Sequence, residues 1–215
     1  MEMMKEKDIV LAELRNSGTS WTRNPFFEEN GYVIIKNLYD PDKLQCSPPE
    51  IPGLYKWIGK NVDEFIYNET ESQVDGSIAR YWHPHYRQAH TDIRKIIEMA
   101  IERKLYNTYY YDRFYFTGQE LWRHLDRPPC EISVSVHVRT NLKQPWPIFI
   151  RKQNGENVSI KLESGDGLLY KGCERPHWRE KMPEEPEIEN LYYHNIFFHY
   201  VLQDGTRAHY AFDRK

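Results

Sequence analysis

Between Glu120 and Val138 the chain reads "ELWRHLDRPPCEISVSVHV". His124 and Asp126 lie two residues apart, a spacing that in an extended chain puts both side chains on one face, about 6–7 Å apart along the backbone. A neutral imidazole and a carboxylate set this way can chelate a divalent metal. A third donor is available downstream, where "ESGDGLLYKGCERPHWRE" supplies His177 after a tight turn at Gly165–Gly167 and a short strand expected at Leu168–Tyr170. Each residue also has a plainer reading. His124 can cap a turn, Asp126 can satisfy backbone amides ahead of the two prolines, and His177 can be a surface histidine beside Pro176.

Two histidines and one carboxylate fill one face of an octahedron and leave the opposite face open. That donor set suits non-heme Fe(II) with open positions for a cosubstrate and oxygen. Catalytic zinc favours tetrahedral, histidine-rich sets at closer spacing and fits less well. A second histidine group, His83, His85 and His90 in "RYWHPHYRQAH", sits on a proline-broken loop leading into a helix. It reads better as a loop on the substrate side than as a metal site.

The elements that must position these donors follow from periodicity. Up to about residue 108 the chain is mixed, with a short β segment expected at Tyr32–Ile35, a turn at Asp40–Asp42 and a loop from Cys46 to Gly53. Ile93, Ile96, Ile97, Ala100, Ile101 and Leu105 recur at helical spacing, which predicts a helix over 92–104. Thr91 would be its N-cap, Asp92 would lie in the first turn, and Arg103 and Lys104 in the last. From about Tyr109 the pattern changes. "DRFYFTG", "EISVSVHVRT", "WPIFIRK", "NVSIKLESGDG", "LLYKG", "LYYHNIFFHYVL" and "RAHYAFD" are short β-type runs separated by Gly, Pro and Asn. In the second run Ile132, Val134, Val136 and Val138 share one face, and Ser133, Ser135, His137 and Arg139 share the other. So many short strands predict a mainly β fold with flanking helices, a jelly roll carrying its metal near the mouth. One domain over 1–215 is expected, with 1–108 a mixed α/β support and 109–215 the jelly-roll core.

Composition narrows the functional classes. A net charge of −3 offers no broad cationic surface, so phosphate-driven nucleic acid binding is not expected. No apolar run approaches the ~18 residues of a membrane helix. The charged start "MEMMKEKDIVLAELRN" has no apolar signal core. Cys46, Cys130 and Cys173 are sparse and odd in number, which reads as a reduced set. A cytoplasmic location is the expectation.

The ordered set of segments from Tyr109 to Gly205 resembles the 2-oxoglutarate and Fe(II)-dependent dioxygenases, in particular small prolyl-hydroxylase-like members from microbes and phages. "FFEENGYVIIKNLYDPDKL" is similar to that family's N-terminal entry segment. "YYYDRFYFTGQELWRHLDRPPCEIS", "WPIFI", "GDGLLYKGCERPHWRE" and "FFHYVLQDG" are similar to its core strands, in order. The resemblance implies a double-stranded β-helix (a cupin-like barrel) with Fe(II) held by His124, Asp126 and His177. It also implies 2-oxoglutarate as cosubstrate, O2 as oxidant, and hydroxylation with release of succinate and CO2. Tyrosines or carboxylates would orient the two histidines, and "RPHWREKMPEEPEIEN" would be a solvated loop over the site mouth.

The chain departs from the family at the cosubstrate anchor. Where the family carries a basic residue on the strand after the distal histidine, "LYYHNIFFHYV" has no Arg or Lys, and Tyr193 stands near that position. Arg179 is the best replacement, because a guanidinium binds a carboxylate with two parallel hydrogen bonds. Arg139 and His194 are its rivals, and Tyr115 and Tyr170 are candidates to donate a phenolic hydrogen bond to the same carboxylate. The substrate implied is a peptidyl or prolyl residue or a small metabolite. The alternative is a non-catalytic or 2-oxoglutarate-independent metal-binding cupin-like protein.

Overall fold

The β-branched and aromatic runs that follow the central helix become strands, and they wind back and forth between two sheets. A computed structural model describes residues 25–45, 73–74 and 77–213. The core strands are β3 (Leu105–Phe116), β4 (Leu121–His124), β5 (Ile132–Thr140), β6 (Ile148–Arg151), β7 (Asn157–Ile160), β8 (Gly167–Tyr170), β9 (His177–Arg179) and β10 (Tyr192–Leu202). β1 (Tyr32–Ile35) and β2 (Ile78–Tyr81) precede them. The large sheet has the order β1-β8-β5-β10-β3-β2 and the small one β4-β9-β6-β7. Each recorded pairing is antiparallel. Core strands β3, β5, β8 and β10 therefore lie in one layer and β4, β6, β7 and β9 in the other, which is a double-stranded β-helix. The segment before residue 109 contributes β1 and β2 to the edges of the large sheet as well as the helix.

The two faces of the large sheet bury different chemistry. On the outer face Ile132, Val134, Val136, Val138, Ile196, Phe198 and Tyr200 pack against Ile93, Ile97 and Ile101 of helix α3 (Arg87–Ile101). Burying each such side chain stabilises by about 1.5–3 kcal/mol, so this layer anchors the sheet. On the inner face the β5 residues Ser133, Ser135 and His137 stand opposite His199, Phe197 and Asn195 of β10, and all six are buried. The polar stripe of β5 thus faces the barrel interior rather than solvent.

Three elements differ from the sequence pattern. α3 starts at Arg87, ahead of Thr91, because Pro84 opens a 3-10 turn (Pro84–Tyr86) that runs straight into it. His83 caps that turn by accepting from the His85 N–H. The Thr91 hydroxyl donates instead to the Arg87 carbonyl at 3.4 Å, and α3 ends at Glu102 in the left-handed region (φ 52°), so Leu105 opens β3. "RAHYAFD" is not a strand but a 3-10 turn over Ala208–Tyr210, closed by local bonds and tied to β3 by Phe212 N–H to the Asn107 carbonyl at 2.7 Å. Asp40, placed in a turn by the sequence, caps the short helix α2 (Pro41–Leu44), which follows α1 (Pro25–Asn30) and β1. The expected loop from Cys46 to Gly53 lies outside the described residues. No helix among the described residues is long and apolar enough to cross a membrane.

Candidate metal centre

The antiparallel register of β4 and β9 sets His124 directly opposite His177. Directly opposed side chains on one face lie within contact range, and the two imidazole centroids are 4.2 Å apart. A β-bulge between Leu121 and His124 makes this possible. Leu121 points inward, Trp122 and Arg123 are both exposed, and His124 turns in again. A regular strand would have aimed Arg123 inward and His124 outward.

Asp126, two residues beyond His124, completes the group. Its Oδ1 lies 3.5 Å from His124 Nε2 and 3.4 Å from His177 Nε2. The three donor side chains are the first of two groups among the described residues whose ligand atoms all lie within 4.8 Å of one another. Each ring is oriented from behind by a backbone carbonyl: His124 Nδ1–H donates to Trp122 O at 2.7 Å, and His177 Nδ1–H to Arg175 O at 3.0 Å. With Nδ1–H held from behind, Nε2 is the ring atom each histidine turns to the shared space, where loss of its proton would free it for a metal, the usual device for orienting a metal-binding histidine. Backbone carbonyls, not the tyrosines or carboxylates expected from sequence, therefore fix the rings. Burial alone would raise the Asp126 pKa. The His177 charge and the hydrogen bonds from both rings outweigh it and hold the carboxyl well below its usual range. Burial likewise pushes His177 down, and the Asp126 carboxylate more than reverses that. The donor set and its geometry fit an octahedral divalent metal bound on one face.

Arg179 lies two residues beyond His177 on β9 and points into the same interior. It is 2 % exposed. Its guanidinium stacks between the rings of Trp146 and Tyr193, 4.7 and 4.6 Å from their centroids. Nη1 donates to the Trp146 carbonyl at 2.5 Å. Nε and Nη2 find no hydrogen-bond partner among the described residues, and neither does the Tyr193 hydroxyl. A buried guanidinium with two unused donors is costly unless a ligand completes it. Tyr115 is fully buried, packs its ring edge on Trp146, and accepts from Arg113 Nη1 at 3.4 Å. Tyr170 packs edge-on to His177 with ring centroids 4.7 Å apart. Burial first, and then the nearby Asp126 charge, push its phenol pKa well up. The rivals to Arg179 face elsewhere. Arg139 is surface-exposed and pairs with Asp42 at 2.8 Å, and His194 bonds Asp112 on the outer face at 2.8 Å.

Sequence reasoning missed several residues here. From the large sheet Ser133 donates to Asp126 Oδ2 at 2.8 Å, and His199 contacts Ser133 in turn at 2.9 Å. His137 stacks on Tyr193 with centroids 4.1 Å apart. Burial, then the Arg179 charge, lower its pKa to about 3, so the ring is neutral. The alternation of β5 carried the signal for Ser133 and His137, but not which face would line the interior. The second donor group, Asp126 with Cys130 and His199, shares its carboxylate with the first. His83, His85 and His90 do not form a group among the described residues: His90 is buried and donates Nε2–H to the His199 carbonyl at 3.1 Å. The segment after β9 is solvated at Lys181, Glu184, Pro186, Glu187 and Glu189, as expected, but it is pinned at two points. Met182 is buried, its N–H donates to Gln119 O at 2.7 Å, and the Glu185 carboxylate accepts from the Lys143 N–H at 3.1 Å.

No family model and no curated protein matches the sequence. Solved structures do match in fold. The chain aligns with a prolyl hydroxylase from Trichoplax adhaerens, in complex with a hypoxia inducible factor oxygen degradation domain peptide fragment. The TM-score is 0.61 and the identity 13 %, covering 92 % of this chain and 94 % of that one. The chain has the double-stranded β-helix fold of the 2-oxoglutarate/Fe(II) oxygenases. The non-heme alpha-ketoglutarate-dependent epimerase SnoN from nogalamycin biosynthesis matches with a TM-score of 0.64 at 10 % identity, over 89 % of this chain and 83 % of that one. HygX from Streptomyces hygroscopicus, with nickel and 2-oxoglutarate bound, matches with a TM-score of 0.54 at 10 % identity, over 85 % and 87 % of the two chains.

Proposed function

We propose that the protein is an Fe(II)- and 2-oxoglutarate-dependent oxygenase whose metal is held by His124, Asp126 and His177. The observation that carries this reading is the meeting of His124 Nε2, His177 Nε2 and Asp126 Oδ1 on one side of a common space. Fe(II) bound there with 2-oxoglutarate and O2 supplies the oxidising power to hydroxylate a C–H bond, releasing succinate and CO2. The chain does the rest. Nδ1–H bonds to two backbone carbonyls hold the histidine rings still, and the anionic Asp126 supplies charge. Arg179 offers Nε and Nη2 to the far carboxylate of the keto acid in a bidentate pair. Tyr193 and Tyr115 offer their hydroxyls to the same group, and Tyr170 walls the space beside His177. The buried aromatic lining keeps water from the reacting centre. The barrel and the strands and helix that precede it act as one catalytic unit. Peptide and small-molecule compounds are both open as substrates.

The test starts from metal-free protein. A thermal shift is expected with Mn(II), and a further one when 2-oxoglutarate is added, because a ligand of the folded state stabilises by ~2.7 kcal/mol at a hundredfold excess over its dissociation constant. Aerobic protein with Fe(II) should then convert 2-oxoglutarate to succinate. Metal binding with no response to 2-oxoglutarate would favour the 2-oxoglutarate-independent cupin-like reading, in line with the bare β10 strand.

A further inference from the structure

We propose that Ser133 and His199 are positioning residues that lock the Asp126 carboxylate so that only one of its oxygens faces the metal. This rests on the assignment of Asp126 as a metal ligand. The two carboxylate oxygens are treated differently by the fold. Oδ1 faces both histidine Nε2 atoms. Oδ2 accepts from Ser133 Oγ at 2.8 Å. A hydroxyl has one proton and a carboxylate can only accept, so that proton lies on the bond to Asp126. The Cys130 carbonyl, 3.2 Å from the same Oγ, takes at most the weaker share, because the bond to the charged group is the stronger. The contact between Ser133 Oγ and His199 Nδ1, 2.9 Å, must then have the ring as donor. That fixes His199 with its proton on Nδ1 and makes a directed chain from His199 to Ser133 to Asp126.

Ser133 and His199 are directly opposed in the β5–β10 register, on the two central strands of the large sheet. Both are buried, so they give a rigid platform to a ligand that itself sits on an irregular segment after β4. The backbone closes the clamp. Asp126 N–H donates to the Gly172 carbonyl at 3.0 Å. A Cβ on Gly172 would stand 2.7 Å from Ser133 Oγ and collide with Asp126 Oδ2 and the Cys130 carbonyl oxygen. Ser133 thus holds Oδ2, His199 holds Ser133, and the Gly172 backbone closes the space beside them, while Oδ1 is left to face the two histidines. Without the Ser133 hydroxyl, both oxygens can turn to the metal and fill a position that the keto acid or oxygen needs.

The experiment is Mn(II) titration of metal-free protein, with the Co(II) absorption spectrum as a reading of coordination number. Ser133→Ala is expected to weaken Mn(II) binding about 10- to 100-fold, with Ser133→Thr within about threefold of wild type, the range that outer partners of metal ligands command. The Co(II) spectrum should shift in Ser133→Ala and return in Ser133→Thr. His199→Asn keeps an N–H donor near the Nδ1 position and should bind as wild type does, whereas His199→Leu should behave as Ser133→Ala; this pair decides the matter if Ser133→Ala does not fold. A packing role alone predicts lower melting temperatures with Mn(II) affinity and Co(II) spectrum unchanged, and that result overturns the proposal. Wild-type protein that binds neither ion overturns the metal assignment itself.

Discussion

Asp112 and Asp126 are acidic residues on either side of one sheet, and the fold completes only one of them. On the outer face Asp112 is fully buried. It accepts from Arg80 Nε at 3.0 Å and from Arg80 Nη2, from the Tyr86 hydroxyl at 2.7 Å, and from His194 Nε2 at 2.8 Å. Burial alone would raise its pKa, but the Arg80 charge and the His194 and Arg80 hydrogen bonds hold it well below its usual range. On the inner face Asp126 keeps 11 % of its side chain exposed and turns one oxygen toward two imidazole Nε2 atoms. The arginines repeat the contrast. Arg80 is matched to Asp112, whereas Arg179, equally buried, uses one nitrogen and leaves two without a partner among the described residues. Burial of charge is common to both networks, so it does not mark a site. Incomplete valence inside the barrel does.

Substitutions can break that contrast. The largest effect belongs to Asp126→Ala, which should abolish Mn(II) binding and succinate formation in protein that still folds; calorimetric titration that still detects tight binding would remove Asp126 from the donor set. Asp112→Ala should do the opposite. Stripping one member from a buried pair strands Arg80 and costs about 3–5 kcal/mol of folding stability, measured by urea unfolding, with Mn(II) affinity of the folded protein unchanged. Arg179→Met is next. Losing hydrogen bonds to a charged ligand, ~1.5–3 kcal/mol, should raise the 2-oxoglutarate requirement about 10- to 100-fold with metal binding intact. Because the guanidinium is under-partnered, metal-free stability should hold or improve. A marked fall in unfolding midpoint would mean that Arg179 is structural in the manner of Arg80.

How far the sequence carries the argument differs between these regions. The pairing of His124 with Asp126 was legible by residue type and spacing, His177 was a candidate by type and family resemblance, and the alternation of β5 showed two unlike faces. The bulge at Leu121–His124 was not legible, because it arises from pairing with β9, a segment more than fifty residues away in the chain. The start of α3 was missed because Thr91 has the right chemistry for a cap, but Pro84 seven residues earlier had already begun the turn. Arg179 was preferred on chemistry. Its rivals dropped out only when register sent Arg139 to the surface and His194 to the outer face. The role of Ser133 depends on its being opposite His199, a long-range pairing that no local pattern encodes.

The smallest effect concerns a histidine of the outer layer. His90 is buried among the rings of Tyr110, Phe198 and Tyr200, and donates Nε2–H to the His199 carbonyl at 3.1 Å. Burial pulls its pKa down to about 3, partly opposed by that hydrogen bond. The folded protein thus refuses a proton that the unfolded chain takes up below its ordinary value near 6.5. The stability linked to this ring is complete above that pH and is lost as the pH falls toward about 3, at about 1.4 kcal/mol per pH unit once the unfolded chain is protonated. His137 shifts the same way, so the wild-type curve sums both rings, and only a difference isolates His90. Urea unfolding of wild type and His90→Gln between roughly pH 7 and pH 4.5 should give curves that converge as the pH falls. The variant carries no titrating ring there and keeps an amide donor for the His199 carbonyl. Parallel curves would show that the ring is protonated in the fold, and the outer layer would then hold an uncompensated charge as the inner chamber does.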